Sequence, residues 1–175
     1  MSPKIKLYEQ GLEEYPKGEI VFNNVLFILL IALGTIACRF IHPVLGWIYL
    51  SFAIVMVGIV LRRLVCTNCY YYDKWCSIGW GKLSALFFSR GDIEGFNESV
   101  GVKLAPAVYG LLMAVPLILT VFSIFQRFTT SKVVVLSLLL LLSFYSGTIS
   151  RKKGCIRCRM RLICPGSAVR GEKIN

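Results

Sequence analysis

Four predominantly apolar runs constrain the fold of this chain more than any other feature. They lie near residues 24–41, 44–64, 105–125 and 133–150. A helix of about 20 apolar residues spans the hydrocarbon core of a bilayer. The chain is 56% hydrophobic and 17% charged, whereas a soluble domain carries about 25% charged residues. We therefore expect an all-α membrane protein with four transmembrane helices.

Turn signals divide these runs into two pairs. His42 and Pro43 separate the first two runs, and proline disfavours helix in the residue before it. The polar segment QRFTTSK, residues 126–132, separates the last two. The sequence predicts two transmembrane hairpins, residues 23–64 and 105–150. The remaining segments are expected on one side of the membrane: a tail of residues 1–22, a connection of residues 65–104 and a tail of residues 151–175.

The basic residues predict which side that is. Of the 20 Lys and Arg residues, 17 lie in the tails, the connection or its flank, and three lie at the short turns. Positive charge marks the cytoplasmic side, so we expect both termini and the connection in the cytoplasm and the protein in the cell membrane. The net charge of +11 then faces anionic lipid and not nucleic acid. The expected partners are the lipid bilayer and another membrane or cytoplasmic protein.

Six of the seven cysteines form two similar clusters. The first cluster is Cys66, Cys69 and Cys76, and the second cluster is Cys155, Cys158 and Cys164. Each cluster follows an apolar run and a group of basic residues. Equivalent cysteines are 89, 89 and 88 positions apart. The layout predicts two copies of one unit, related by a pseudo-twofold axis along the membrane normal.

The cysteine spacing indicates a cytoplasmic metal site. Two thiolates in a C-x2-C turn can reach one metal, and paired C-x2-C elements are typical of zinc. The cytoplasm is reducing, which disfavours structural disulfides, and cations nearby in the sequence favour thiolates. These cations are Arg62, Arg63, Lys74, Arg157, Arg159 and Arg161. The candidate metal ligands are Cys66, Cys69, Cys76, Cys155, Cys158 and Cys164, and the favoured function is a membrane protein with a structural zinc site.

Two alternatives use the same cysteines. In the first, an iron–sulfur cluster makes the chain an electron-transfer subunit of a membrane complex. Cys164-Pro165 is similar to the Cys-Pro that ends ferredoxin cysteine runs, but five residues precede it where those runs have three, and neither cluster matches a ferredoxin motif. In the second, the chain is a membrane thiol–disulfide oxidoreductase. The predicted cytoplasmic location argues against an oxidoreductase, because such cysteine pairs belong on the oxidising side of the membrane.

A short amphipathic helix is predicted within the connection. In GWGKLSALFFSR, residues 79–90, helical periodicity places Trp80, Leu83, Leu86 and Phe87 on one face. An apolar face with an aromatic anchor is typical of a helix that lies in the membrane interface. Nearby aromatic residues, including Tyr71 and Trp75, are read as interfacial anchors or as packing around the cysteines.

The other residues suggest no catalytic chemistry. Cys38 lies in an apolar run and is expected to be buried, and His42 is expected to be a turn residue. Asn23 and Asn24 are expected to cap the first helix. The predicted spans contain no Asp or Glu, and the chain has no Gly-rich phosphate loop, G-x-S-x-G or H-E-x-x-H motif. We therefore expect no catalytic residues and do not expect an enzyme.

Overall fold

The computed structural model describes residues 7–169, and the regular secondary structure in this range is helical. Within this range there is no strand, and a single isolated bridge pairs Leu12 with Cys158. Helix α1 is Lys17–Arg39, α2 is Pro43–Val55, α3 is Trp80–Phe87, α4 is Val100–Gln126, α5 is Thr130–Phe144 and α6 is Arg151–Ile156. Three π-helical segments, Met56–Val60, Arg62–Cys66 and Tyr145–Ser150, lengthen α2 and join α5 to α6.

The predicted four membrane-length helices are confirmed. Four continuous helical segments are long and apolar enough to cross a membrane: Lys17–Arg39, Pro43–Cys66, Val100–Gln126 and Thr130–Ile156. Many large apolar side chains on these segments point outward, including Ile28, Trp47, Ile118 and Leu141. In water such extensive apolar exposure would be unfavourable. The architecture is therefore compatible with a membrane protein.

Local sequence signals explain where the first two long helices meet. His42 is the N-cap of α2, and its Nδ1 accepts a hydrogen bond from the backbone N–H of Val44 at 3.2 Å. Pro43 occupies the first turn of the helix, where its missing N–H costs no helical hydrogen bond. His42 is therefore a turn residue, as predicted.

Helices α1 and α4 lie at the centre of the bundle. Helix α1 packs against α2, α4 and α5, while α4 packs against α1, α5 and the π-helical segments that follow α2. One contact joins three helices. The hydroxyl of Tyr49 in α2 donates to the carbonyl oxygen of Leu112 in α4 at 2.9 Å, and its ring lies over Gly34 in α1, where a Cβ would come within 2.5 Å of the hydroxyl oxygen. Cys38 is buried in the same core, as predicted.

One π-helical segment recurs at the same interval as the cysteines, whereas Arg62–Cys66 aligns with the α-helical segment Arg151–Ile156. The π-helical segments Met56–Val60 and Tyr145–Ser150 begin 89 residues apart, and α2 and α5 end 89 residues apart. Cys66 and Cys155 have the same separation. π-Helical turns are rare and occur frequently at functional sites. Their recurrence in register with the cysteines supports duplication of a unit that ends in a cysteine cluster.

The sequence prediction for the two asparagines needs correction. Asn23 and Asn24 do not cap α1, which begins at Lys17; their side-chain amides donate to the carbonyl oxygens of Ser77 and Ile78, both at 2.9 Å. Each acceptor lies 54 positions away in the sequence, beyond the reach of a local pattern.

The short helix predicted within the connection is present as α3. Trp80 is buried, whereas Leu86 and Phe87 are 75% and 72% exposed. Such an apolar outer side is compatible with a helix that lies in the membrane interface.

Candidate functional site: a duplicated cysteine site

The first cluster is built from three tight backbone turns. Cys66 ends the long helical segment Pro43–Cys66. Its carbonyl oxygen accepts from the N–H of Cys69 at 3.3 Å, and the carbonyl oxygen of Cys69 accepts from Tyr72 at 3.0 Å. The carbonyl oxygen of Cys76 accepts from Gly79 at 2.8 Å. Gly79 has a φ of 73°, a left-handed conformation that favours glycine.

The second cluster repeats all three turns. The carbonyl oxygen of Cys155 accepts from the N–H of Cys158, and that of Cys158 accepts from Arg161, both at 3.2 Å. The carbonyl oxygen of Cys164 accepts from Ser167 at 3.1 Å. The carbonyl oxygen of every clustered cysteine therefore accepts a hydrogen bond from the backbone N–H three positions later. The two clusters share local backbone geometry as well as cysteine spacing.

The second cysteine of each C-x2-C element, Cys69 or Cys158, accepts a further hydrogen bond from the backbone. The backbone N–H of Tyr71 donates to the sulfur of Cys69, and that of Met160 donates to the sulfur of Cys158. Tyr71 and Met160 are themselves 89 positions apart, and both are buried. Burial is the main influence on both thiols, raising the pKa of Cys69 and raising the pKa of Cys158 to about 11. The amide donors act in the opposite direction because they stabilise the thiolate.

The structure brings the two clusters together at these central cysteines. Cys69 and Cys158 pack against the same buried side chains, and a negative charge on Cys158 would raise the pKa of Cys69, after the larger effect of burial. Four cysteines, two from each cluster, contact one buried group of side chains. The cysteines are Cys69, Cys76, Cys158 and Cys164, and the buried group, here called the site core, is Tyr15, Ile20, Tyr71, Phe96, Val102 and Met160.

Tyr71 connects the clusters directly. It belongs to the first cluster segment and is 2% exposed. Its hydroxyl accepts from the backbone N–H of Arg159 at 3.2 Å and donates to the carbonyl oxygen of Leu12 at 2.7 Å. The ring of Tyr71 also packs against that of Tyr15 at 5.7 Å between centroids. Tyr71 therefore packs around the cysteines, the second of the two roles considered for these aromatic residues.

An N-terminal strap, residues 7–16, lies across both clusters. The backbone N–H groups of Tyr8 and Leu12 donate to the carbonyl oxygens of Arg159 and Arg157, both at 2.9 Å. Tyr15 reaches both clusters, since its N–H donates to the carbonyl oxygen of Trp75 at 2.8 Å and its hydroxyl to that of Gly154 at 2.7 Å. A Cβ at Gly11 would lie 2.7 Å from the backbone nitrogen of Arg159. The strap therefore contacts the second cluster too closely for a side chain at this position.

Sequence reasoning treated this strap only as part of a cytoplasmic tail. One signal could have identified it: Tyr8, Leu12 and Tyr15 place apolar side chains at intervals of four and three within an otherwise charged segment. Such spacing indicates a buried face. The partners of that face lie far away in the sequence, as in the bonds from Tyr71 to Leu12 across 59 positions and from Tyr15 to Gly154 across 139, and no local pattern identifies them.

Two of the basic residues at the site are paired with carboxylates. Arg157 bonds to Glu19 of α1 at 2.5 Å, and Arg159 bonds to Glu13 of the strap at 3.0 Å. Arg159 also donates to the hydroxyl of Tyr70 at 3.0 Å. These contacts attach the second cluster to the N-terminal part of the chain. Part of the positive charge expected to favour thiolates is therefore balanced by acidic residues.

The side-chain arrangement does not itself form a metal centre. Between residues 7 and 169, no three His, Cys, Asp or Glu side chains form a group that could hold a metal ion as they stand. Cys66, Cys69, Cys76, Cys155 and Cys158 are not joined by disulfides. Metal binding is thus not shown by the structure, although the six predicted ligands occupy equivalent backbone turns.

No family model, curated protein or solved structure matches this chain. The functional interpretation accordingly depends on the duplicated turns, the meeting of the two clusters and the four apolar helices.

Proposed function

We propose that this protein spans the cell membrane as two helical hairpins and that its two cysteine clusters form one cytoplasmic metal centre, with structural zinc as the favoured metal. The observation that carries this proposal is the identical set of backbone turns at the three cysteines of each cluster. The two sets meet at Cys69 and Cys158 around a shared site core. A metal held by both halves would fix the two cysteine clusters and the strap, which together form a cytoplasmic cysteine-rich cap, on the bundle.

The local geometry suits thiolate ligands. In each C-x2-C element the second sulfur receives a backbone N–H from two residues later, and such a donor stabilises a thiolate. Buried thiols used only as apolar groups would not require that donor. A divalent cation favours the deprotonated form of a coordinating thiol. Changes in the cysteine side-chain rotamers would be the movement that gathers the sulfurs around a metal.

The ligand count favours zinc with four of the six cysteines. Tetrahedral structural zinc takes four thiolates, commonly from two C-x2-C elements. Here these elements are Cys66 with Cys69 and Cys155 with Cys158. Cys76 and Cys164 lie beside the site core and would support the ligands from outside. One shared zinc also explains why two copies of the unit pack together at their cysteine clusters.

An iron–sulfur centre for electron transfer is the second candidate. The site core surrounds Cys69 and Cys158 with apolar and aromatic side chains. A hydrophobic shell of this kind limits solvent access and tunes the reduction potential of a cluster. The same shell would also protect a structural zinc, so metal analysis must separate the two candidates.

The cytoplasmic orientation is supported by charge. With both hairpins in the membrane, 17 of the 20 Lys and Arg residues fall on the side of the termini and the connection. The positive-inside rule assigns that side to the cytoplasm. Reducing conditions there would keep the cysteines available as ligands.

Metal analysis of purified protein, prepared under anaerobic and reducing conditions, tests the proposal. We expect about one zinc per chain and no visible absorption. Serine substitution of Cys69 or of Cys158 should each remove the metal, because both halves supply ligands. Cys38→Ser is the matched control, since Cys38 is buried in the last turn of α1, next to the turn at His42, and it should retain zinc.

Other results would change the assignment. Iron with acid-labile sulfide and visible absorption would support the electron-transfer candidate in place of zinc. Two metals per chain, with each substitution removing only one of them, would indicate separate sites in the two halves. Metal-free wild-type protein would contradict both metal proposals, and thiols that then cycle with a quinone would indicate an oxidoreductase.

A further inference from the structure

A cavity of about 310 Å³ lies beside the first cluster. It is an open groove, bounded by the first turns of α1, the end of the long helix Pro43–Cys66, the loop after Cys76 and helix α3. Its walls include two tryptophans, Trp75 and Trp80, and two leucines, Leu83 and Leu86. Leu86 is 75% exposed, so the apolar side of the cavity reaches the outer surface of α3. A ligand here would meet both polar and apolar groups.

The polar side of the cavity carries an arginine with unused hydrogen-bonding capacity. Arg62 lines the cavity, and its Nε is buried without a hydrogen-bond partner among the described residues 7–169. The guanidinium carbon lies 4.7 Å from the centre of the Trp80 ring, which holds the group in place. Because Nε itself has almost no accessible surface, an anionic oxygen in the cavity would accept charge-assisted hydrogen bonds from the other guanidinium nitrogens of Arg62.

Two other features make the cavity attractive to an anion. Lys82 also lines it, although its ammonium group is partly exposed and pairs with Asp73 at 3.1 Å. The amino end of α3 lies at the same place, since Gly79 and Trp80 both line the cavity, and this end has no side-chain cap. An uncapped helix amino terminus supplies free N–H groups and the positive end of the helix dipole.

We propose that this cavity binds the phosphate of an anionic membrane phospholipid, with Arg62 as its main ligand and the acyl chains running along Leu83 and Leu86. Basic pockets between membrane helices on the cytoplasmic side are suited to anionic headgroups. The outward side chains of Leu86 and Phe87 then face the same lipid layer. The inference rests on the membrane insertion proposed above and is independent of the metal centre.

The cavity contains its own fluorescent probes. The chain has three tryptophans, and Trp47→Phe leaves only Trp75 and Trp80, which both line the cavity. This variant is reconstituted in vesicles of phosphatidylcholine with a minor fraction of phosphatidylglycerol. Bromine on an acyl chain, near its headgroup end, quenches the fluorescence of a neighbouring tryptophan. One preparation contains brominated phosphatidylglycerol, and the other contains brominated phosphatidylcholine at the same mole fraction of brominated lipid. We expect phosphatidylglycerol to associate about fivefold more strongly than phosphatidylcholine, the preference expected for one basic residue near the membrane surface.

Neighbouring arginines provide a matched control. In the same background, Arg62→Gln should abolish the preference, whereas Arg63→Gln should preserve it. Both substitutions remove one positive charge at adjacent positions, but Arg63 is exposed and does not line the cavity. Equal effects of the two substitutions would reduce the preference to general surface charge and overturn the proposal. If Arg62→Gln does not fold, Arg62→Met, which keeps the apolar stem of the side chain, replaces it, and an unchanged preference in that variant would overturn the proposal.

Two further outcomes distinguish the source of the anion and the failure of each proposal. Relief of quenching by millimolar inorganic phosphate would assign the cavity to a soluble anion and overturn the lipid assignment. Equal quenching by the two lipids in correctly inserted protein would overturn the lipid site while leaving the proposed membrane architecture intact. Failure of folded protein to insert into any vesicle would overturn both.

Discussion

The tyrosine between the two cysteine clusters should control how firmly the N-terminal strap is held. We consider Tyr71→Phe, which removes one hydroxyl and keeps the buried ring. The hydroxyl bonds to the carbonyl oxygen of Leu12 and to the N–H of Arg159, at 2.7 and 3.2 Å. The substitution leaves both backbone groups without that partner at a site where Tyr71 is 2% exposed. We expect the strap to open more often, while the helical bundle stays folded.

The magnitude follows from the hydrogen bond to Leu12, since Arg159 lies outside the strap. A net contribution of about 1 kcal/mol, with an additional cost for the unsatisfied buried carbonyl oxygen, gives a total of roughly 1–2 kcal/mol. Since 1.36 kcal/mol corresponds to a factor of ten, local opening should become roughly 5- to 30-fold more frequent. Hydrogen exchange measured by mass spectrometry on peptides from residues 7–16 detects this change, because the amides of Tyr8, Leu12 and Tyr15 are all hydrogen-bonded across the site.

The neighbouring residue gives a matched control. Tyr72 also uses its hydroxyl to bind a backbone carbonyl oxygen, that of Phe88 at 2.8 Å, but that partner does not belong to the strap. Tyr72→Phe should leave exchange in residues 7–16 unchanged. Unaltered exchange of the strap in Tyr71→Phe, or equal acceleration in both variants, would refute the assigned role of Tyr71.

Three other predictions concern topology, thiol reactivity and helix packing. Membrane-impermeant thiol reagents applied to intact cells should leave the six clustered cysteines unlabelled, and external labelling of Cys155 or Cys158 would reverse the proposed orientation. In metal-free protein, burial raises the pKa of Cys158 to about 11. Because only the thiolate reacts, the rate of alkylation of Cys158, measured by peptide mass spectrometry, should rise about tenfold per pH unit from pH 8 to 10. A rate that reaches a plateau by pH 9 would contradict the raised pKa. Gly34→Ala should lower the free energy of unfolding in detergent by about 1–3 kcal/mol, since its Cβ would lie 2.5 Å from the Tyr49 hydroxyl oxygen. Gly58→Ala is the control, because a Cβ at this position meets open space, and it should show no packing penalty in thermal unfolding. Equal losses of stability in the two variants would argue against the close packing of α1 on α2.

The candidate site was predictable only to the level of residue types and local turns. Cysteine spacing identified six possible ligands and suggested duplication, because short repeated turns require similar local sequences. It did not reveal that Cys69 and Cys158 occupy the meeting point, or that Tyr71 and Met160 donate equivalent backbone hydrogen bonds. Metal binding stays a prediction, since the described side chains do not form a metal-holding group. The identity of any metal depends on sulfur positions that spacing alone cannot specify.

The sequence by itself determined the number of membrane-length helices and the place where the first two meet. Both follow from local physics: an apolar run must be long enough for a bilayer, and His42-Pro43 ends one helix and begins the next. Tertiary structure decided the roles of Asn23, Asn24 and the N-terminal strap. Their partners come from distant segments, as in the hydrogen bond from Tyr15 to Gly154 across 139 positions. Such contacts depend on how whole helices pack, and no window of neighbouring residues contains that information.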